Sequence, residues 1–168
     1  MLRTTLFNET FMQMAVTIAN LSTCPRAHVG AILVRDRRVL SVGYNGAPIG
    51  TPHCDDIGCY LEGSHCVRSV HAEQNVIVQA ALHGVSTEGA SLYCTHRPCL
   101  SCTRILINAR IKTIFFLNEY DSGTFSVSLL KNADIFIKCL KEEPSQESVK
   151  ILALDTLTRG RNFVTPYP

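Results

Sequence analysis

Two short segments constrain the fold of this chain most: "HAE" at 71–73 and "PCLSC" at 98–102. Each stands where a helix begins. "HAEQNVIVQAALHG" (71–84) has a helical apolar face that includes Val76, Ala80 and Ala81, with Gly84 as its C-cap. "ASLYCTH" (90–96) reads as a strand, Pro98 is placed to open a helix, and "CLSCTRILINAR" (99–110) is that helix. "IKTIFFLNEY" (111–120) is apolar enough for a strand buried on both faces, and a short helix near 123–133 and a strand "DIFIKCL" (134–140) follow. Upstream, Phe7, Phe11, Met14, Ala15 and Ile18 mark a helix over about 8–22. "VGAILVRD" (29–36) and "RVLSVGYNG" (38–46) form a hairpin-like pair. Strands alternating with helices imply an α/β protein. The expected architecture is a three-layer α/β/α sandwich around a central mixed five-stranded sheet, antiparallel at its first hairpin and parallel after it. One domain accommodates the 168 residues, with a core over about 8–140 and a tail (141–168) to which the sequence assigns no role.

Charge and composition narrow the class. The net charge is +2 and the basic residues are scattered, which argues against a duplex-binding surface but not against a small phosphorylated ligand. The N-terminal "MLRTTLFNETFMQMAV" is interrupted by Asn8, Glu9 and Gln13, unlike a signal peptide, and no apolar run approaches a membrane span. A cytoplasmic protein is the expectation. Eight cysteines in a reducing compartment read as metal ligands, where they cluster, rather than as a disulfide framework.

Cys99 and Cys102 offer two thiolates and His71 an imidazole, all at helix starts, where the positive end of the helix dipole favours thiolates. Three N/S donors suit a tetrahedral zinc ion with its fourth position left to water, the catalytic pattern. Glu73, two residues from His71, would lie nearly opposite it in mid-helix. It reaches the same water only if His71 occupies the helix boundary with non-helical geometry. A structural zinc site is the competing reading. Glu73, Pro98 and the strand–helix context favour the H-x-E…P-C-x-x-C pattern of zinc-dependent cytosine and adenine deaminases.

The segment 47–68 is a loop punctuated by Pro48, Gly50, Pro52, Gly58 and Gly63, and it carries His53, Cys54, Cys59, His65 and Cys66. So long a loop with little hydrophobic pattern needs something to order it, and a second zinc does so. Free thiols and satisfied histidines are the alternative. Cys94 and Cys139 fall in strands and read as core. Gly43 and Gly46 either let backbone approach a ligand or serve a turn.

From "STCPRAHVGAILVRD" through "GYNGAP", "HCVRSVHAEQN" and "PCLSCTRILINARIKTI", the chain resembles the deoxycytidylate (dCMP) deaminase family, in its phage and ComEB-like branch. The resemblance covers about 8–120 and implies the cytidine deaminase-like fold. It implies that His71, Cys99 and Cys102 hold a catalytic zinc. Glu73 then moves a proton from the attacking water to N3 of cytosine and helps ammonia leave, so that dCMP becomes dUMP for thymidylate synthesis. Asn45, in "GYNG", matches the family's position for a hydrogen bond to the sugar. Arg26 is a phosphate partner or a surface arginine, and Tyr120 closes over the base or is a strand-end rim residue. A structural second zinc is implied on Cys24 and Cys54 with two ligands from the insertion, for which Cys59 and Cys66 are favoured and His65 is the substitute. Members of this branch assemble as oligomers, often hexamers, and respond to dCTP and dTTP. An arginine that influences this regulation in phage-type proteins has no counterpart in "QAALHG". Competing functions are deamination of dCTP or a C5-modified dCMP, a tRNA adenosine deaminase, and a zinc-stabilised binding module with vestigial catalytic residues. No stable nucleic-acid or membrane partner is expected.

Overall fold

A computed structural model describes residues 2–63, 65–120 and 123–141, so the expected tail lies outside the described residues from 142 onward. Helix α1 (Leu2–Ala19) begins well before residue 8. Tertiary packing holds its first turns. Phe7 and Phe11 stack with ring centroids 6.1 Å apart, the Arg37 guanidinium sits 4.7 Å over the Phe7 ring, and the Tyr93 hydroxyl donates to Asn8 Oδ1 at 2.7 Å. The helix stops at Ala19, where Asn20, Leu21 and Ser22 bond back to Thr17, Ile18 and Ala19 in tight turns.

Strands β1 (Gly30–Arg35) and β2 (Arg38–Tyr44) form the expected hairpin. Its turn residues Asp36 and Arg37 both have positive φ, 53° and 61°, the sign pattern that matches a two-residue turn to strand twist. After β2 come a short helix α2 (Cys54–Ile57) and a two-stranded ribbon, β3 (Leu61–Glu62) with β4 (His65–Cys66), giving the cysteine-bearing loop its own local structure. Then follow α3 (Ala72–Leu82), β5 (Ser91–His96), α4 (Leu100–Asn108), β6 (Thr113–Asn118), α5 (Gly123–Asn132) and β7 (Phe136–Cys139).

The central sheet is five-stranded and mixed, in the order β2-β1-β5-β6-β7. One expectation is corrected here. β1 pairs antiparallel with β5 as well as with β2, and only β5, β6 and β7 run parallel. β2 and β5 thus point the same way on either side of β1, and α3 is the crossover between them. At the end of α3, Gly84 has φ 66° and the Gly84 and Val85 amides donate to Ala81 and Ala80, which closes the helix in a Schellman motif.

Two cores flank the sheet. Leu33, Leu92 and Ile114 pack with Val76, Ala80, Leu106 and Leu130 from α3, α4 and α5. On the opposite face, Ile32, Val34 and Tyr93 pack with Phe11, Met12 and Ala15 of α1. β6 is not buried on both faces among the described residues: Ile114 and Phe116 are buried, whereas Phe115 and Leu117 are half-buried. The described helix on that side, α1, packs over β1 and β5. No described helix is long and apolar enough to cross a membrane.

Gly43 has a packing role in place of the nucleotide approach considered from sequence. A Cβ there would come within 2.5 Å of the Ala72 carbonyl oxygen and the Val76 nitrogen, so the bare backbone lets α3 lie directly on β2. A Cβ at Gly46 would meet Thr23 Oγ1 at 2.9 Å.

Candidate active site

The topology brings two helix starts to one edge of the sheet. α3 begins beyond the C-terminal end of β2 and α4 beyond that of β5, two strands that point the same way, and ligand crevices form at such ends in α/β sheets. His71 is the N-cap of α3 with φ −72° and ψ 152°, and Cys99 is the N-cap of α4 with φ −69° and ψ 172°. Both are extended, so their side chains leave the helix axis and converge. The His71 amide donates to Gln74 Oε1 at 3.1 Å, fixing the entry into α3.

His71 Nδ1 lies 3.6 Å from Cys99 Sγ and 3.4 Å from Cys102 Sγ. Zinc binds thiolate near 2.3 Å and imidazole near 2.0–2.1 Å, which in a tetrahedron separates the donors by roughly 3.5–3.8 Å. These three residues therefore fit a zinc ion. Their titration shows the same preparation. The Cys102 thiol donates toward Cys99 and, with His71, brings Cys99 down to about 4, while the Cys99 sulfur pushes Cys102 up. The Cys99 hydrogen bond likewise raises His71 against the opposing effect of burial.

Glu73, in the first turn of α3, is 4 % exposed. Burial raises its carboxyl from 4.5 to about 7, with a smaller upward push from Cys99, and contact with Cys102 works the other way. A carboxyl of this kind exchanges protons near neutrality, as a general acid–base requires.

A cleft of about 320 Å³ opens over this group, lined by Glu73, His71, Asn45, Arg26, Arg97 and Tyr120 among others. Asn45 is buried and already used: its Oδ1 accepts from the Val29 amide at 2.8 Å and its Nδ2 donates to the Ala27 carbonyl at 2.9 Å. Those bonds shape the wall from which Arg26 projects. The Tyr120 hydroxyl lies 3.2 Å from His65 Nδ1, joining the ribbon to the end of β6 across the cleft. Sequence reasoning missed Arg97 and His96, which also line the cleft. Their position directly before "PCLSC" is the signal that could have found them.

A second donor group lies beside the cleft. Cys24, Cys54 and Cys59 have sulfurs within 4.8 Å of one another, and Cys66 Sγ is 3.8 Å from Cys54 Sγ. Burial, joined by the Cys66 and Cys59 thiols, pushes Cys54 up to about 12. Burial works to raise Cys66, but the Arg68 and Ser69 amides together with the Cys54 and Cys59 thiols outweigh it and hold that thiol at about 7. His65 faces Tyr120, and His53 Nδ1 pairs with Thr23 Oγ1 at 3.0 Å. Cys94 is buried in the core, and Cys139 is half-buried with its sulfur 3.4 Å from the Leu117 carbonyl.

Comparison with known proteins accords with this geometry. ComE operon protein 2 of Bacillus subtilis is 41% identical over 132 residues, covering 79% of this chain and 70% of that protein. The deoxycytidylate deaminase of Schizosaccharomyces pombe is 34% identical over 136 residues, 76% of this chain, and the match spans 42% of that longer protein. Among solved structures, the dCMP deaminase of cyanophage S-TIM5 in complex with dCMP and dUMP superposes with a TM-score of 0.70 at 34% identity, covering 79% of this chain and 95% of that one. The family model for the cytidine and deoxycytidylate deaminase zinc-binding region matches residues 6–118, which contain both helix starts, the candidate donors His71, Cys99 and Cys102, and Glu73. By that match and those relatives, this chain belongs to the cytidine and deoxycytidylate deaminase family.

Proposed function

We propose that this chain hydrolyses dCMP to dUMP and ammonia. The observation that carries the reading is the buried Glu73 carboxyl set beside three zinc donors at the end of a nucleotide-sized cleft. His71, Cys99 and Cys102 would hold a zinc ion, which when bound would lower the pKa of a water at the site to about 7. Glu73 accepts a proton from the attacking water and passes it to N3, which makes C4 electrophilic. A C4–O bond forms, the C4–N bond breaks, and Glu73 delivers the second proton to the departing amine, so the carboxylate is regenerated. Burial shields this carboxyl from bulk solvent, so its proton goes to the cytosine ring. Asn45, held by the 27–29 wall, is assigned to the sugar, Arg26 to the phosphate and Tyr120 to closure over the base.

The substrate is tested by ammonia release from dCMP, dCTP, deoxycytidine, cytidine and tRNA. Turnover of dCMP above the others is expected, and preference for any other member of the series refutes the assignment.

The thiols of Cys24, Cys54, Cys59 and Cys66 are assigned to a second, structural zinc. Three sulfurs within 4.8 Å of one another, with Cys66 Sγ 3.8 Å from that of Cys54, suit a closed tetrahedral site that orders the loop. We further propose an oligomer, with a hexamer favoured, regulation by dCTP and dTTP, and a cytoplasmic location that keeps these thiols reduced. Sedimentation velocity and dCMP kinetics with added dCTP or dTTP test the first two.

A further inference from the structure

Arg97 stands immediately ahead of Pro98 and Cys99, and its backbone amide donates to the Asn118 carbonyl at 2.9 Å, which fixes it at the end of β6. Its side chain is only 20% exposed, yet it lines the cleft together with Glu73, Asn45 and Tyr120. Nη1 donates to Glu119 Oε2 at 3.0 Å, but that carboxylate is itself 65% exposed. Nε is buried and has no partner. The Phe116 ring lies 5.7 Å from the guanidinium carbon and supports the group from one side.

A guanidinium carries five N–H donors in a fork that matches two oxygens of a phosphate. One exposed carboxylate engages one end of this fork. Nε is a buried donor without an acceptor, a costly arrangement in the free protein. A neutral carbonyl would fill one hydrogen bond, whereas a phosphate monoester also adds an anion to a guanidinium otherwise paired with the exposed Glu119 carboxylate. Arg26, the other arginine of the cleft, is exposed, so its pull on an anion is weakened by solvent.

We infer that Arg97 is the residue that makes this pocket specific for a phosphorylated nucleotide: its guanidinium, at the cleft wall, pairs with a phosphate oxygen of the ligand. The inference rests on the cleft taking a cytosine nucleotide, as proposed above. It makes Arg97, rather than the exposed Arg26, the main determinant for nucleotide over nucleoside.

The test compares product binding with and without the phosphate. Titration calorimetry with dUMP and with deoxyuridine is run on zinc-loaded wild type, Arg97→Gln and Arg97→Lys, with zinc content and Tm checked for each. Arg97→Gln should weaken dUMP about 10–100-fold while leaving deoxyuridine affinity within about twofold. Arg97→Lys should recover part of the loss, because it restores charge without the fork. For dCMP turnover, the loss should fall on KM more than on kcat. Equal weakening of dUMP and deoxyuridine, or unchanged dUMP affinity, overturns the assignment. Absence of dCMP turnover by the wild type would count against the reaction instead, and the calorimetric comparison would still decide Arg97.

Discussion

Glu73 is pulled two ways by its surroundings. Burial raises its carboxyl to about 7, which suits proton transfer and opposes folding once the group ionises. With a folded value above the ordinary 4.5, this stabilising bias toward the neutral acid is fully present below pH 4.5 and lost as pH rises through 7. In chelated, metal-free protein, Glu73→Gln should therefore gain on wild type by about 2–3 kcal/mol between pH 4.5 and 8, read from urea denaturation. A constant difference over that range would show that burial does not control this carboxyl. Residue types alone singled out His71, Glu73, Cys99 and Cys102, because few other chemistries want that set at that spacing, and the fold brings them together at the cleft. Arg97 stayed hidden because an arginine in sequence looks the same whether it is solvated or, as here, half-enclosed with an unmet donor.

Elements hold these residues through backbone rather than side-chain fit. At Gly43, the missing Cβ allows α3 to approach β2, and α3 carries His71 at its cap and Glu73 in its first turn. Gly43→Ala must displace backbone atoms, so a loss of about 1–3 kcal/mol in stability and a fall in deaminase activity are expected, checked by thermal melting and ammonia release. Normal activity with an unchanged Tm would contradict this role. Local patterns made the helices and strands legible, including the hairpin, whose Asp36–Arg37 turn lacks the usual glycine. The antiparallel β1–β5 pairing was not legible, since nothing in "GAILVR" says which strand it will lie beside. The early start of α1 also escaped, because Phe7 lies under Arg37 and Asn8 is bonded by Tyr93, both far along the chain.

At the scale of the whole molecule, two donor clusters share one cleft wall: His71 and Cys99, and Cys24 and Cys66, all line it. The loop that folds as α2 and β3–β4 thereby brings the second sulfur cluster to the pocket, with His65 reaching Tyr120 across the opening. Purified protein should carry two zinc ions per chain by plasma mass spectrometry. Cys54→Ser should keep one, with a lowered Tm. One ion in the wild type would remove the structural site, and the catalytic donors would remain as described. The cleft-lining pattern could not be read from sequence, because it depends on where the loop is tied down.

The central claim is that Glu73 moves the protons of dCMP hydrolysis at a zinc centre, and dUMP formation by zinc-loaded protein tests it most directly. Wild type should yield dUMP and ammonia in equal amounts, and Glu73→Gln, with unchanged zinc content, should be slower by at least about 10²-fold. Comparable rates in the two proteins, or no dUMP from the zinc-loaded wild type, would contradict the account.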